Sequence, residues 1–297
     1  MMDALDFLSL NLLPFLLAMG GSYWLSRPGN KWAAIDRPNS RSMHSVPTPR
    51  GGGLAVLAPL LLMYAISLGR FMDGNIVIGL LLVAIVSYID DRRPLSSRLR
   101  LVVHTIAACA LVLPQGHSLY IGIGLCLLTV WCINLYNFMD GIDGLAASMG
   151  VIGFLAMHFV NVHNGQAQLA SINSIVAFSC LGFLRFNFPP AKIFLGDVGS
   201  ASLGYLMAVS LVVISPYMIG RTGFFGGMSG IIIFSPFLLD ATFTIFRRAA
   251  ARKSIFEAHR SHLYQLMARR VGTIKSLVLY ILLMLICSAI ALGRIDW

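Results

Sequence analysis

The sequence predicts an all-α protein that crosses a membrane many times. Of its 297 residues, 57% are hydrophobic and only 11% are charged, which is too apolar for an ordinary soluble domain. Mean hydropathy is +0.79, and the apolar residues form about ten runs that approach the length a spanning helix needs. Because no low-complexity tract or repeat divides the chain, we expect residues 1–297 to form a single integral-membrane domain with about ten transmembrane helices.

The apolar runs follow one another along the whole chain. The first has no basic flank and no clear cleavage site, so we expect it to remain in the mature protein. The runs are Phe7–Leu25, Leu54–Leu68, Asn75–Ile89, Leu101–Leu113, Ile121–Leu135, Leu145–Val162, Leu169–Leu184, Ser200–Ile214, Met228–Phe246 and Ser276–Leu292.

The basic residues predict an orientation. With the N-terminus outside, the inner loops hold all of the 22 Lys and Arg residues except Arg70, Arg221 and Arg294, as the positive-inside rule requires. Both termini are then expected on the outer side. The formal charge of +10 falls on one face, which suits membrane lipids and a phosphorylated substrate. Because no recognisable nucleic-acid-binding module accompanies it, we expect no nucleic-acid partner.

The most distinctive stretch is NLYNFMDGIDGL at Asn134–Leu145. Asn134, Asn137, Asp140 and Asp143 recur every third residue, and in a helix this spacing forms one polar stripe. The adjacent glycines, Gly141 and Gly144, would leave the backbone open to a ligand. The alternative is a polar helix end with an N-cap for the next span.

Two other inner loops carry carboxylates. Asp90 and Asp91 end the third span: one could bind a cation while the other handles a proton, or both could pair with the neighbouring arginines. Asp197 lies in FLGDVGS at the start of a span, a good N-cap position that is also compatible with a site. Asp240 lies inside the ninth span and suggests either hydrogen-bonded packing or a site at the inner boundary.

Two further segments could bind anions. Thr48, Arg50 and the amides of Gly51–Gly53 could cradle a phosphate at a helix start, although a basic inner loop would also follow from the positive-inside rule. His259 and His262 are three residues apart and would share a helical face. No third histidine or cysteine nearby makes a zinc site convincing.

On the predicted topology, the aspartates at positions 90, 91, 140, 143 and 197 reach one membrane surface among basic residues. Mg²⁺ prefers oxygen ligands and binds through one or two carboxylates together with substrate phosphates. The carboxylates would otherwise repel an anionic substrate. The pattern therefore favours a Mg²⁺-diphosphate site.

From Asp36 to about Gln265 the sequence resembles the polyprenyl-phosphate N-acetylhexosamine-1-phosphate transferases, glycosyltransferase family 4. The motifs that carry the resemblance are PTPRGGG, DDR, NFMDGIDGL, FLGDVGS and HRSHLYQ. The last is most similar to the branch that initiates O-antigen synthesis, which is related to phospho-MurNAc-pentapeptide translocase.

The resemblance implies transfer from a UDP-N-acetylhexosamine to undecaprenyl phosphate, with release of UMP, to start a lipid-linked glycan such as O-antigen in lipopolysaccharide biosynthesis. It implies a multi-pass protein of the bacterial inner membrane, with a cytoplasmic active site and periplasmic termini, and it allows a homodimer. By this resemblance, Asp197 would bind Mg²⁺, with Mn²⁺ as a possible substitute, and Asp90 or Asp91 would assist the attacking lipid phosphate. A nucleotide-sugar pocket would be formed by Asn137, Asp140 and Asp143. Phosphate groups would be bound by Thr48, Arg50, His259, His262 or Arg260.

Two alternatives remain open at this point. A transporter or flippase without chemistry would place its polar residues mid-membrane and often show repeated halves. A CDP-alcohol phosphotransferase would continue DGIDG with Ala-Arg and further spaced aspartates, whereas here Ser148 follows Ala147.

Overall fold

The computed structural model describes residues 8–38, 46–67, 69, 72–213, 228–253 and 259–293. After one π-helical turn, Leu8–Leu12, the described helices are α1 (Leu13–Leu25), α2 (Gly53–Ile66), α3 (Gly74–Arg92), α4 (Ser97–Val112), α5 (Leu119–Phe138), α6 (Leu145–His163), α7 (Ala167–Asn187), α8 (Asp197–Val212), α9 (Ser229–Ala250), α10 (Leu263–Val271) and α11 (Thr273–Leu292).

The prediction of a helical multi-pass membrane protein is confirmed. Among the described residues, seven helices are long and apolar enough to cross a membrane, and three shorter apolar helices accompany them. Each matches one predicted run, although the run ends at Phe7, Leu68 and Ile214 lie outside the described residues. The additional helix, α10, is short and carries two arginines, Arg269 and Arg270, in its last turn.

Two short strands stand beside the helices. β1 (Ala34–Asp36) pairs antiparallel with β2 (Thr48–Arg50). Arg50 also forms an isolated parallel β-bridge with Phe194. The strands thereby join the first inner loop to the loop that precedes α8.

The described helices pack around one apolar core. α8 is buried along almost its whole length and contacts α2, α3 and α5. Its approach to α2 is so close that a Cβ on Gly53 would overlap the backbone of Gly199. The outer faces of α4, α5 and α11 expose large apolar side chains, such as Val102, Leu127 and Ile286, as expected for surfaces that face lipid.

Alternating helix directions bring the inner loops to one end of the bundle. The C-terminal ends of α3, α5, α7 and α9 meet the N-terminal ends of α4, α6 and α8 there, together with the β1–β2 hairpin and α10. This end carries every residue that the sequence marked as a candidate site residue.

Candidate active site

The N-terminus of α8 is capped by a carboxylate from another helix. The backbone amides of Asp197 and Val198 donate to Asp91 Oδ1 and Oδ2, at 2.9 and 3.0 Å. Gly196 precedes them with φ +76°, and a Cβ there would lie 2.7 Å from Asp91 Oδ2. The N-cap residue is Gly196 and the helix begins at Asp197, so the interpretation of Asp197 as the cap of α8 is wrong. Its carboxylate is left to face the arginines.

Two arginines join three of the aspartates. Arg50 binds Asp91 Oδ1 through Nε and Asp197 Oδ1 through Nη2, both at 2.7 Å. Arg100 Nη1 lies 2.7 Å from Asp90 Oδ2 and 3.5 Å from Asp197 Oδ2. Burial lowers the pKa of Arg50, but the charges of Asp197 and Asp91 outweigh it and hold that pKa above its ordinary value. Asp197 thus stands between two fixed cations.

Arg100 was not singled out by the sequence reasoning. The alternative in which Asp90 and Asp91 pair with the neighbouring arginines is also wrong, because Asp90 pairs with Arg100 and Asp91 with Arg50. Arg92 instead lies over the ring of Tyr88 and donates to the Lys31 carbonyl. A signal for Arg100 did exist. It lies in the first turn of α4, where the helix dipole disfavours a cation, so a nearby carboxylate was to be expected.

The predicted polar stripe does not extend through Asp143. α5 ends at Phe138, and Asp140 and Asp143 lie in the turn before α6, where Gly144 adopts φ +78°. Only the first part of the stripe is helical. There Asn137 Oδ1 accepts a hydrogen bond from Ser200 Oγ at 3.0 Å.

The two turn aspartates differ in their environment. Asp143 Oδ2 accepts from the amide of Ala191 at 2.9 Å. No described residue donates a hydrogen bond to the Asp140 carboxylate. Burial raises the pKa of Asp140 well above its usual range; Arg50 opposes this, whereas Asp197, Asp91 and Asp143 add to it. A cation or a donor arriving at Asp140 would therefore be strongly favoured.

The glycines of this turn serve packing rather than an open ligand path. A Cβ on Gly141 would overlap the hydroxyl of Tyr264, which donates to the Phe138 carbonyl at 3.0 Å. A Cβ on Gly144 would lie 3.3 Å from a methyl of Leu277. The expectation that a ligand approaches the bare backbone at these glycines is therefore wrong.

The glycine amides before α2 are also engaged. The amides of Gly51 and Gly52 donate to the Phe194 carbonyl at 3.2 and 2.9 Å, and that of Gly53 donates to the Leu195 carbonyl at 2.8 Å. The Thr48 hydroxyl is buried and donates to the Val46 carbonyl at 3.0 Å. The expected phosphate cradle of amides is therefore wrong. Among the residues of this loop that the structure describes, Arg50 is the one that forms ion pairs with the site aspartates.

The two histidines precede α10 and do not share a helical face. His262 is the residue before the helix, and its ring stacks on that of His259 with centroids 4.9 Å apart. His262 is buried, its side chain 3% exposed, whereas His259 is half-buried. Of the two predicted candidates, His259 is the one that can reach a ligand.

Positive surroundings keep His259 neutral. Burial first, and then the charges of His262, Arg248 and Arg247, lower its pKa to about 4. Its Nδ1 lies 3.0 Å from Ser261 Oγ. Arg260, between the histidines, offers its carbonyl to Arg269 at 2.8 Å.

These features define a multi-pass membrane protein with a charged site at one end of its bundle. Residues 75–215 match the family described as Glycosyl transferase family 4. The chain is 33% identical to a decaprenyl-phosphate N-acetylglucosaminephosphotransferase of Mycolicibacterium smegmatis, over 81% of this chain and 70% of that protein. It is 29% identical to a probable undecaprenyl-phosphate N-acetylglucosaminyl 1-phosphate transferase of Bacillus subtilis, over 79% and 69%. It is 26% identical to a Thermotoga maritima protein named undecaprenyl-phosphate alpha-N-acetylglucosaminyl 1-phosphate transferase, over 91% and 85%.

The chain belongs to this family, the polyprenyl-phosphate N-acetylhexosamine-1-phosphate transferases. The resemblance read from its motifs is confirmed. The transporter alternative is not favoured.

Proposed function

We propose that this protein transfers an N-acetylhexosamine-1-phosphate from a UDP-sugar to undecaprenyl phosphate, releasing UMP and starting a lipid-linked glycan such as O-antigen. The observation that carries the proposal is Asp197, held between Arg50 and Arg100 at one end of an apolar bundle. Fixed charges of both signs at a helix end let a lipid phosphate and a water-soluble nucleotide meet at the bilayer surface. The names of the related proteins support the acceptor class and the sugar phosphate.

The arginines are suited to bind the phosphates. The side chains of Arg50 and Arg100 are 30% and 32% exposed, so each can offer further N–H donors beyond its ion pairs. His259, which stacks on His262 next to Phe138, would add a further contact. Neutral in the free protein, it can accept a proton as a phosphate approaches.

In the reaction, an oxygen of the lipid phosphate bonds to the phosphorus that carries the sugar. The bond from that phosphorus to the bridging oxygen breaks, and UMP leaves with this oxygen and its electron pair. Such transfers depend on positioning and charge neutralisation. Asp91 is committed to the α8 cap, so Asp90, which pairs with Arg100, is the better placed of the two to assist the lipid phosphate.

The donor set fits Mg²⁺ brought in with the substrate. Among the described residues, no group of three His, Cys, Asp or Glu side chains is arranged to hold a metal ion. Mg²⁺ does not require one, because it binds through one or two carboxylates plus substrate phosphates. Asp197 would supply one carboxylate. The half-buried Asp140, to which no residue in the described part of the chain donates a hydrogen bond, is suited to supply another. When bound, Mg²⁺ or Mn²⁺ neutralises the diphosphate and the departing UMP.

Release of UMP tests the proposal directly. Purified protein in nanodiscs is mixed with undecaprenyl phosphate, Mg²⁺ and a panel of UDP-N-acetylhexosamines. We expect UMP with at least one donor, and we expect Asp197→Asn to abolish its release while the protein still folds. The matched control is Asp73→Asn, which changes an exposed aspartate just before the other end of α3 and should retain activity.

An active Asp197→Asn variant would contradict the metal assignment. Uptake of the UDP-sugar into vesicles without UMP formation would favour a transporter instead. The sugar specificity follows from the panel, because the motifs do not distinguish GlcNAc, QuiNAc and FucNAc donors.

The proposed location is the bacterial inner membrane, with the site facing the cytoplasm and both termini in the periplasm. The distribution of basic residues supports this orientation, although residues 1–7 and 294–297 lie outside the described part of the chain. Alkaline phosphatase fused to the C-terminus should be active, because the C-terminus is expected in the periplasm. An inactive fusion would indicate the opposite orientation. A homodimer is proposed from the family resemblance alone, and native mass spectrometry would test it.

A further inference from the structure

A buried carboxylate in α9 accepts hydrogen bonds from three different parts of the chain. Asp240 is 5% exposed. Its Oδ1 accepts from the amide of Leu263 at 2.7 Å and from Thr244 Oγ1 at 3.2 Å. Its Oδ2 accepts from the amide of Tyr264 at 3.0 Å and from the Tyr280 hydroxyl at 2.5 Å. The first two amides of α10 are thus both bound to one side chain of α9.

The start of α10 carries two parts of the candidate active site. His262 lies immediately before it, with Nδ1 3.7 Å from Asp240 Oδ1, and its ring lies between those of Phe138 and His259. Tyr264 is fully buried against the Asp140 turn. A displacement of this helix start would therefore move both the half-buried His259 and the turn that holds Asp140.

We infer that Asp240 is a positioning residue for donor binding: it fixes the start of α10, and through it the stacked His259 and the turn that holds Asp140. This inference rests on the proposed function. Asp240 is too deeply buried to touch a substrate. An apolar side chain of similar size would often join two helices equally well, but it could not orient two backbone amides.

The test is Asp240→Asn in the full-length protein in nanodiscs. The amide keeps the size but presents N–H groups where the carboxylate accepted hydrogen bonds. We expect the backbone amides of residues 263 and 264 to exchange with deuterium about tenfold faster or more, as the loss of a hydrogen bond to a charged group predicts. We expect the KM for the UDP-sugar to rise by about tenfold, while the KM for undecaprenyl phosphate stays within about twofold.

Thr244→Val is the matched control. It removes one neutral donor to Asp240 and leaves both α10 amides bonded, so exchange and both KM values should match those of the wild type. If Asp240→Asn does not fold, Tyr280→Phe takes its place. The Tyr280 hydroxyl ties the carboxylate to a second helix at 2.5 Å and orients Oδ2, the oxygen that accepts the Tyr264 amide, whereas the Thr244 bond is 3.2 Å long and lies within α9. Loss of the Tyr280 bond should therefore let the carboxylate turn and produce the same changes to a smaller extent.

Unchanged exchange and donor KM in Asp240→Asn, or in Tyr280→Phe where only that variant folds, would overturn the inference. An equal rise in both KM values together with a fall in kcat would overturn it too, because these changes would show a general structural defect. If the wild type releases no UMP from any donor, the proposed function fails. The exchange rates would then still report whether Asp240 holds α10.

Discussion

The contact between Gly141 and Tyr264 gives a sharp test of how the turn and α10 fit together. In Gly141→Ala the added Cβ would overlap the Tyr264 hydroxyl and lie 3.0 Å from Gln265 Nε2. Tyr264 cannot retreat easily. Its hydroxyl donates to the Phe138 carbonyl, and its own carbonyl accepts from Ser276 Oγ at 2.9 Å. We therefore expect an overpacking cost of about 1–3 kcal/mol.

A double-mutant cycle tests whether this cost arises from the contact between the new methyl group and the Tyr264 hydroxyl. Tyr264→Phe alone loses one hydrogen bond, about 1 kcal/mol. In the double variant the hydroxyl that overlaps the new methyl group is absent, and the nearest remaining atom of the ring, Cζ, lies 3.2 Å from the added Cβ. The two changes together should therefore cost less than the sum of the single changes, by about 1 kcal/mol.

Thermal unfolding followed by tryptophan fluorescence measures these differences. At about 2–4 °C per kcal/mol, Gly141→Ala should lower the midpoint by roughly 5 °C and reduce UMP release, because the turn carries Asp140. Gly122→Ala, in α5, is the control. Outside its own helix, no described residue lies within 4 Å of the added Cβ, so no loss is expected. An unchanged midpoint for Gly141→Ala, or strictly additive effects, would refute the packing argument.

Three further predictions test other contacts. Asp91→Asn replaces the acceptor of two α8 amides, so we expect a loss of about 1–2 kcal/mol in thermal stability; a midpoint equal to that of the wild type would contradict the cap. Arg100→Met removes the cation between Asp90 and Asp197, and the KM for undecaprenyl phosphate should rise about tenfold; an unaltered acceptor KM would argue against a phosphate contact. The folded pKa of His259 is about 4, below its ordinary 6.5, so its contribution to stability is complete above pH 6.5 and is lost as the pH falls through 4. Between pH 6.5 and pH 4 the thermal unfolding midpoint of the wild type should therefore fall more than that of His259→Gln. If the two midpoints depend on pH in the same way, the lowered pKa of His259 is contradicted.

The residue types and their order alone predict the helices, which the structure confirms, and an orientation in the membrane. In a bilayer, backbone polar groups must be satisfied within each segment, so an apolar run such as Leu145–Val162 becomes a helix whatever its neighbours are. The distribution of Lys and Arg predicts the orientation of the chain for an equally local reason. The motifs around Asp140 and Asp197 were sufficient to indicate the family.

Only the tertiary structure decides which side chain does what within the site. Asp91 and Asp197 are 106 positions apart, and the sequence does not show that one caps the helix that begins with the other. In the same way, the amides of Gly51 and Gly52, just before α2, donate hydrogen bonds to the carbonyl of Phe194, which lies far along the chain. Hydrogen bonds depend on separations of about 3 Å. Such separations are set by how the helices pack, which the periodicity of single segments does not specify.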